Sequence, residues 1–191
     1  MLDIILISIY NLISTQLIMS NAIPKNEVKP LLPLLRQKLT RLRERKGFNP
    51  ERWIDVRTDQ FLVYMKKCNL KAAIVSMSGG VDSSLVAALL KRAQDKAAVI
   101  PDHPFNPANG GVIIGVAQPF HSTPEIQNRA FEVGLALNVN VITVNRSEEF
   151  DSSMQKVEAG IGGPLKPFSK AMCKSYERTP INYLLASHYG G

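Results

Sequence analysis

Cysteine is scarce in this chain. Cys68 and Cys173 stand far apart, so they offer neither a disulfide framework nor a metal-ligand spacing. That absence favours a reducing compartment, and the expected location is cytoplasmic. Histidine is no richer: His103, His121 and His188 form no set that would hold a metal ion. A clean apolar run is missing too. Residues 2–23 are rich in Ile and Leu with Asp3 as their single charge, long enough to span a bilayer. Yet Ser8, Asn11, Ser14, Thr15, Gln16, Ser20 and Asn21 interrupt them, each at a cost in hydrocarbon. The basic start and cleavage site of a secretory signal are not clear either. Three readings stand: a weak membrane anchor, a helix packed on a partner, or an extension outside the folded domain. The last ranks first, and no firm membrane association is expected.

What is present fits one globular domain. A chain of 191 residues with 45% hydrophobic and 20% charged content can bury one sizeable core. The formal charge of +7 points toward an anionic partner, but it is concentrated. Within residues 36–46, Arg36, Lys38, Arg41, Arg43, Arg45 and Lys46 stand against Glu44 alone. One solvated helix face explains that pattern, and no nucleic-acid partner is expected.

Pro24, Pro30 and Pro33 mark a boundary, because proline interrupts helical hydrogen bonding. Residues 1–30 read as an extension and linker, residues 31–191 as the folded domain. Leu31, Leu35, Leu39 and Leu42 recur at helical spacing and predict an amphipathic helix stopped by Gly47. A second helix is expected over residues 50–67, with Trp53, Val56, Phe61 and Met65 on an apolar face used for core or dimer contact. After Asn69 the pattern changes. Residues 72–75, 111–116 and 140–144 are apolar without alternation, as parallel strands buried on both faces are. Helical patterns over residues 82–94 and 124–137 separate them. The alternation predicts an α/β fold: an open parallel sheet with helices on both faces and right-handed crossovers. Such sheets bind ligands beyond the carboxyl ends of their strands. The turn after Val75 is therefore where chemistry is expected.

That turn reads Ser76-Met77-Ser78-Gly79-Gly80-Val81-Asp82-Ser83-Ser84. Gly79 and Gly80 let the backbone bend and approach an anion. The amides that follow are free donors at a helix N-terminus, where the dipole also favours negative charge. Ser78 and Ser83 add hydroxyls. Asp82 suits a phosphate site only if a divalent cation lies between them. The plainer alternative is a glycine turn in which Asp82 and Ser83 cap the helix. No Gly-Lys-Ser/Thr follows, so the turn is not a Walker A loop.

Ser78, Gly79, Gly80, Asp82 and Ser83 match, position by position, the Ser-Gly-Gly-x-Asp-Ser signature of the PP-loop ATP pyrophosphatases. The chain resembles that superfamily, whose fold is adenine nucleotide alpha hydrolase-like and Rossmann-like. Within it the resemblance is to ammonia-dependent NAD synthetase. Phe48-Asn49-Pro50-Glu51, residues 76–89, residues 117–123 and residues 172–186 carry it, over about residues 48–191. It implies ATP and Mg²⁺ as cofactors, and nicotinic acid adenine dinucleotide and ammonia as substrates. It further implies that an adenylated carboxylate forms, that AMP and pyrophosphate leave, and that the enzyme is a homodimer.

The resemblance implies that Asp82 and Ser83 are catalytic, with Asp82 also on the metal. Ser76, Ser78, Gly79, Gly80, Asp82, Ser83, Gln118, His121, Ser122 and Arg178 are implied to bind nucleotide. Many bacterial members carry a second arginine where this chain has Tyr176. No glutaminase nucleophile is evident. The family continues into a strand ending in Gly-Thr-Gly-Asn, whereas this sequence stops at Gly190-Gly191. A fragment of a longer enzyme and an inactive truncated product both fit. A tRNA-modifying PP-loop enzyme, with residues 36–46 as its RNA footprint, is the other alternative. His121 reads equally as an ATP contact or a surface residue, and Arg178 as an anion ligand or a surface ion pair. Thr179-Pro180 reads as an N-cap or a kink, and residues 160–163 as a closing loop or a connector.

Overall fold

The computed structural model describes residues 33–190. The apolar run, the first two boundary prolines and Leu31 lie outside them. Helix α1 (Pro33–Lys46) ends before Gly47 as expected, and its Leu34, Leu35 and Leu42 are exposed. Helix α2 (Pro50–Lys67) starts where the Asn49 side chain accepts from the Arg52 N–H at 2.9 Å, with Pro50 in the first position. Its buried face is Thr58, Leu62 and Met65, whereas Val56 is exposed. Thr58 can turn inward because its hydroxyl donates to the Ile54 carbonyl at 3.0 Å.

Strand β1 (Ala72–Ser76), helix α3 (Val81–Ala97), strand β2 (Val112–Ala117), helix α4 (Pro124–Leu137) and strand β3 (Asn140–Thr143) follow. The strands are parallel in the order β1-β2-β3, with Ala72 opposite Val112 and Ile114 opposite Asn140. Both crossovers step the same way, so right-handedness puts α3 and α4 on one face. Successive residues Ile113 and Ile114 point to opposite faces of β2 and are both buried. The central strand is therefore covered on both sides. Ala87, Ala93 and Ala97 of α3 are fully buried, and such small side chains let the helix lie close to the sheet. Between α3 and β2, buried His103 accepts from the Phe105 N–H through Nδ1 and so donates from Nε2 to the Leu62 carbonyl. That histidine is a structural strut.

Three helices complete the described chain: α5 (Ser147–Ile161), α6 (Pro167–Tyr176) and α7 (Arg178–Tyr189). Sequence reasoning missed α5, although Phe150, Met154, Val157 and Ile161 recur at helical spacing. Phe150 and Met154 form a second small core with Phe120, whose ring meets Phe150 edge-on at 5.5 Å. Residues 172–186 fall in two helices, broken at Glu177. Pro180 has no N–H for the Tyr176 carbonyl, so α6 cannot run straight through. Thr179 is accordingly inside α7, with Glu177 at the capping position. Residues 160–163 are also divided, because α5 continues to Ile161 and a left-handed Gly162 ends it. Among the described residues no helix is long and apolar enough to cross a membrane.

Candidate nucleotide site

The carboxyl ends of β1 and β2 open onto a cavity of about 310 Å³. Ser76 and Ser78 line it from the first strand and its turn, Gln118 and Ser122 from the second, and Arg178 from the start of α7. Five residues expected from the sequence thus converge, as an open parallel sheet dictates. Met77, Val116, Ala117, Pro119 and Ile126 give the same cavity apolar surfaces. Asp82, Ser83 and His121 are outside its lining.

The turn is built by close packing. Gly79 has φ +70°, and a Cβ there would stand 2.4 Å from Arg129 Cβ and 2.7 Å from the Arg129 backbone carbon. Helix α4 therefore lies directly on the loop, and glycine is required twice over. The serine hydroxyls behave differently from the free donors expected. Ser78 Oγ accepts from the Gly80 N–H at 3.2 Å. Ser83 Oγ lies 3.1 Å from Ser78 Oγ and donates to the Gly80 carbonyl at 3.1 Å. Their protons are thus engaged inside the turn and brace it. The N–H groups of Val81, Asp82 and Ser83 form no hydrogen bond within the described residues, and these are the donors left for an anion.

Asp82 is exposed in the first turn of α3 and has no ion-pair partner among the described residues. No group of three metal-ligating side chains forms there or elsewhere among them. One carboxylate beside free amides does not make a dedicated metal cage. It fits Mg²⁺ held mainly by phosphate oxygens and water, with a carboxylate completing the shell.

Arg178 is half-buried. Its Nη1 donates to the Lys174 carbonyl at 2.8 Å, and its guanidinium lies 4.9 Å from the Phe120 ring centroid. Burial pulls its pKa below the ordinary arginine value, and it has no carboxylate partner among the described residues. A half-buried cation without a counter-ion suits an anionic ligand group better than a surface ion pair. His121 resolves differently. Its ring Nε2 lies 2.9 and 3.0 Å from the Asp151 carboxylate oxygens, and its backbone N–H donates to Ser147 Oγ at 2.9 Å. It ties the end of β2 to α5.

Sequence reasoning overlooked Asn182. Its Nδ2 donates to Ser76 Oγ at 2.8 Å, and its Oδ1 accepts from Gln118 Nε2 at 3.0 Å. Gln118 Nε2 also donates to the Arg178 carbonyl at 3.2 Å, while Gln118 Oε1 is buried without a partner. No local pattern marks Asn182, because only the approach of α7 to β1 brings it to the site.

The chain is similar to known proteins. The profile of the family described as NAD synthase matches residues 54–190. The NH(3)-dependent NAD(+) synthetase of Halalkalibacterium halodurans is 27% identical over 127 residues, covering 66% of this chain and 45% of its own. That of Deinococcus radiodurans is 22% identical over 157 residues, covering 82% and 52%. The chain thus spans about half the length of the curated relatives it matches. Among solved structures, the NAD+ synthetase of Burkholderia pseudomallei superposes with a TM-score of 0.62 at 20% identity, over 75% of this chain and 51% of that one.

Proposed function

This chain belongs to the NAD synthase family, and from that premise we propose that it acts in the ATP-dependent amidation of nicotinic acid adenine dinucleotide by ammonia. The observation that carries the reading is the braced turn of residues 78–83, which keeps three unbonded amides at the start of α3 and adds Ser78 to a cavity that Arg178 also lines.

The nicotinate carboxylate is a poor electrophile until one oxygen becomes part of a leaving group. That oxygen attacks the α-phosphorus of ATP, the α–β bridging bond breaks, and pyrophosphate departs with the electron pair. Ammonia then adds to the carbonyl carbon, loses a proton, and AMP leaves. The N–H groups of Val81, Asp82 and Ser83, with the α3 dipole, hold the departing pyrophosphate. Asp82 would hold Mg²⁺, which would supply neutralisation of phosphate charge. Arg178 takes an anionic group of the nucleotide or of the acceptor. A homodimer in the cytoplasm is the assembly this reading carries.

The test measures NAD formation, together with exchange of labelled pyrophosphate into ATP when ammonia is withheld. Exchange that requires nicotinic acid adenine dinucleotide is expected. Binding of Mg-ATP with neither exchange nor NAD would leave a nucleotide-binding chain and remove the amide-forming role.

A further inference from the structure

An amphipathic helix of a globular domain normally turns its leucines toward a core. Helix α1 does not. Of its described side chains only Leu39 is half-buried, whereas Leu34 is 63%, Leu35 47% and Leu42 50% exposed. Arg36, Lys38, Arg41, Arg45 and Lys46 are exposed with them. The helix is joined to the rest through Gly47, where an added Cβ would meet nothing within 4 Å. It precedes residues 54–190, which match the family, and lines no part of the nucleotide cavity.

The same helix carries charge of one sign. Six basic residues against Glu44 alone leave an excess of five over 14 residues. At 3.6 residues per turn, Leu34, Leu35, Leu39 and Leu42 fall within about 140° of the circumference. Arg36 and Arg41 flank that sector. Lys38, Arg45 and Lys46 share it, and such long stems can lie along an apolar surface with the charge lifted clear.

We propose that α1 lies along the surface of an anionic lipid bilayer, with its leucines at the acyl boundary and its cations among the headgroups. Charge decides against a second copy of the chain, which would set one basic helix against another. A nucleic acid would meet the cations but leave the leucines in water. Crossing the bilayer is excluded by length as well as by charge. A helix of 14 residues is about 21 Å long, short of the roughly 30 Å hydrocarbon core. The attachment is therefore peripheral and weakened by salt.

The test sediments the full chain with vesicles of phosphatidylcholine alone and of phosphatidylcholine mixed with phosphatidylglycerol. Affinity for the mixed vesicles should be about tenfold or more the higher, and should fall as salt is raised. Arg41→Gln/Arg45→Gln should weaken it about tenfold or more, since each cation near an anionic surface is worth about fivefold. Leu35→Ser/Leu42→Ser should weaken it about tenfold or more as well, because the apolar contact is lost. Both variants should keep the parental urea unfolding and nucleotide binding, since they touch neither the core nor the cavity. Should the leucine variant not fold, the charge variant and the parental salt dependence decide. Equal binding to both vesicle types would assign the contact to apolar residues 2–23 and overturn the proposal. Binding to neither also overturns it, as does a folded leucine variant that binds mixed vesicles like the parent. Without vesicle binding, tight duplex RNA binding that survives loss of the leucines gives α1 to nucleic acid. Self-association abolished by that loss gives it instead to a second copy.

Discussion

The cavity has two walls of different make. One is the end of the sheet with its glycine turn, where α4 lies on Gly79 and buried alanines of α3 hold the helix down. The other is the start of α7, which reaches the cavity through Arg178; α6 and α7 bury no residue fully, and Phe168, Tyr176, Tyr183 and Leu184 are exposed. The last three helices are joined to the sheet by the core of Phe120, Phe150 and Met154 and by polar ties: Asn182 to Ser76 and Gln118, His121 to Asp151, and Lys174 Nζ to the Phe120 carbonyl at 3.5 Å. Close packing holds the glycine turn against its neighbouring helix, whereas Ser76 and Gln118 are tied to α7 by hydrogen bonds. A change at a packed position should therefore act on folding, and one at an exposed or polar position on binding.

The largest effect is expected at Gly79. A left-handed φ costs a side chain about 1–2 kcal/mol, and overpacking against the Arg129 backbone adds about 1–3 kcal/mol. Gly79→Val should lose roughly 3 kcal/mol or more of folding stability by urea unfolding, with nucleotide binding lost alongside. If stability is retained, α4 does not rest on the turn as closely as described.

The two walls also differ in how readable they were. The turn could be read because its chemistry is local: glycines, serines and a carboxylate in fixed register between a buried strand and a helix. The strands and α2 to α4 were readable from periodicity for the same reason. Arg178 was picked out by resemblance, but its loss of a counter-ion through burial is a property of the fold. Asn182 carries no local signal, since a helical asparagine looks like any solvated one until α7 meets β1. Helix α5 had the signal in Phe150 and Met154 and was passed over. The engaged hydroxyls of Ser78 and Ser83 depend on rotamers, which residue order does not specify.

Next in size come two changes that separate binding from folding. Asp82→Asn should weaken Mg-ATP about tenfold or more, with little change when Mg²⁺ is left out. Unfolding should be unaltered, because Asp82 is exposed and unpaired among the described residues. Titrations with and without Mg²⁺ decide it, and equal affinity for Mg-ATP in parent and variant would remove the metal role. Arg178→Met should cost about tenfold in affinity for an anionic ligand, since charge-assisted hydrogen bonds are lost. Folding stability should move by no more than about 1 kcal/mol, because the lost bond to Lys174 is offset by removing a half-buried charge. Large destabilisation instead would make this arginine a strut of the second wall.

The smallest effect is expected at the junction of α5 and α6, and it should appear only in acid. Glu158 Oε1 accepts from Lys170 Nζ at 2.6 Å and from the Leu165 N–H at 2.8 Å. Lys170, and then the Leu165 amide, hold the Glu158 carboxyl below the ordinary glutamate range. A carboxyl whose pKa is lower folded than unfolded contributes stability that is complete above its unfolded value, about 4.3. That contribution fades as pH falls through the folded value. Protection of the Leu165 amide from hydrogen exchange should therefore be level above about pH 5 and decline on acidification. In Glu158→Gln it should be weaker at neutral pH and flat across the range, because the neutral amide cannot titrate. The Gly80 amide, bonded to a hydroxyl on the packed wall, should show no such slope. The effect is small because the pair is partly exposed and screened by solvent. A parental Leu165 amide that stays level well below the ordinary glutamate value would mean that packing, not this carboxylate, joins α5 to α6.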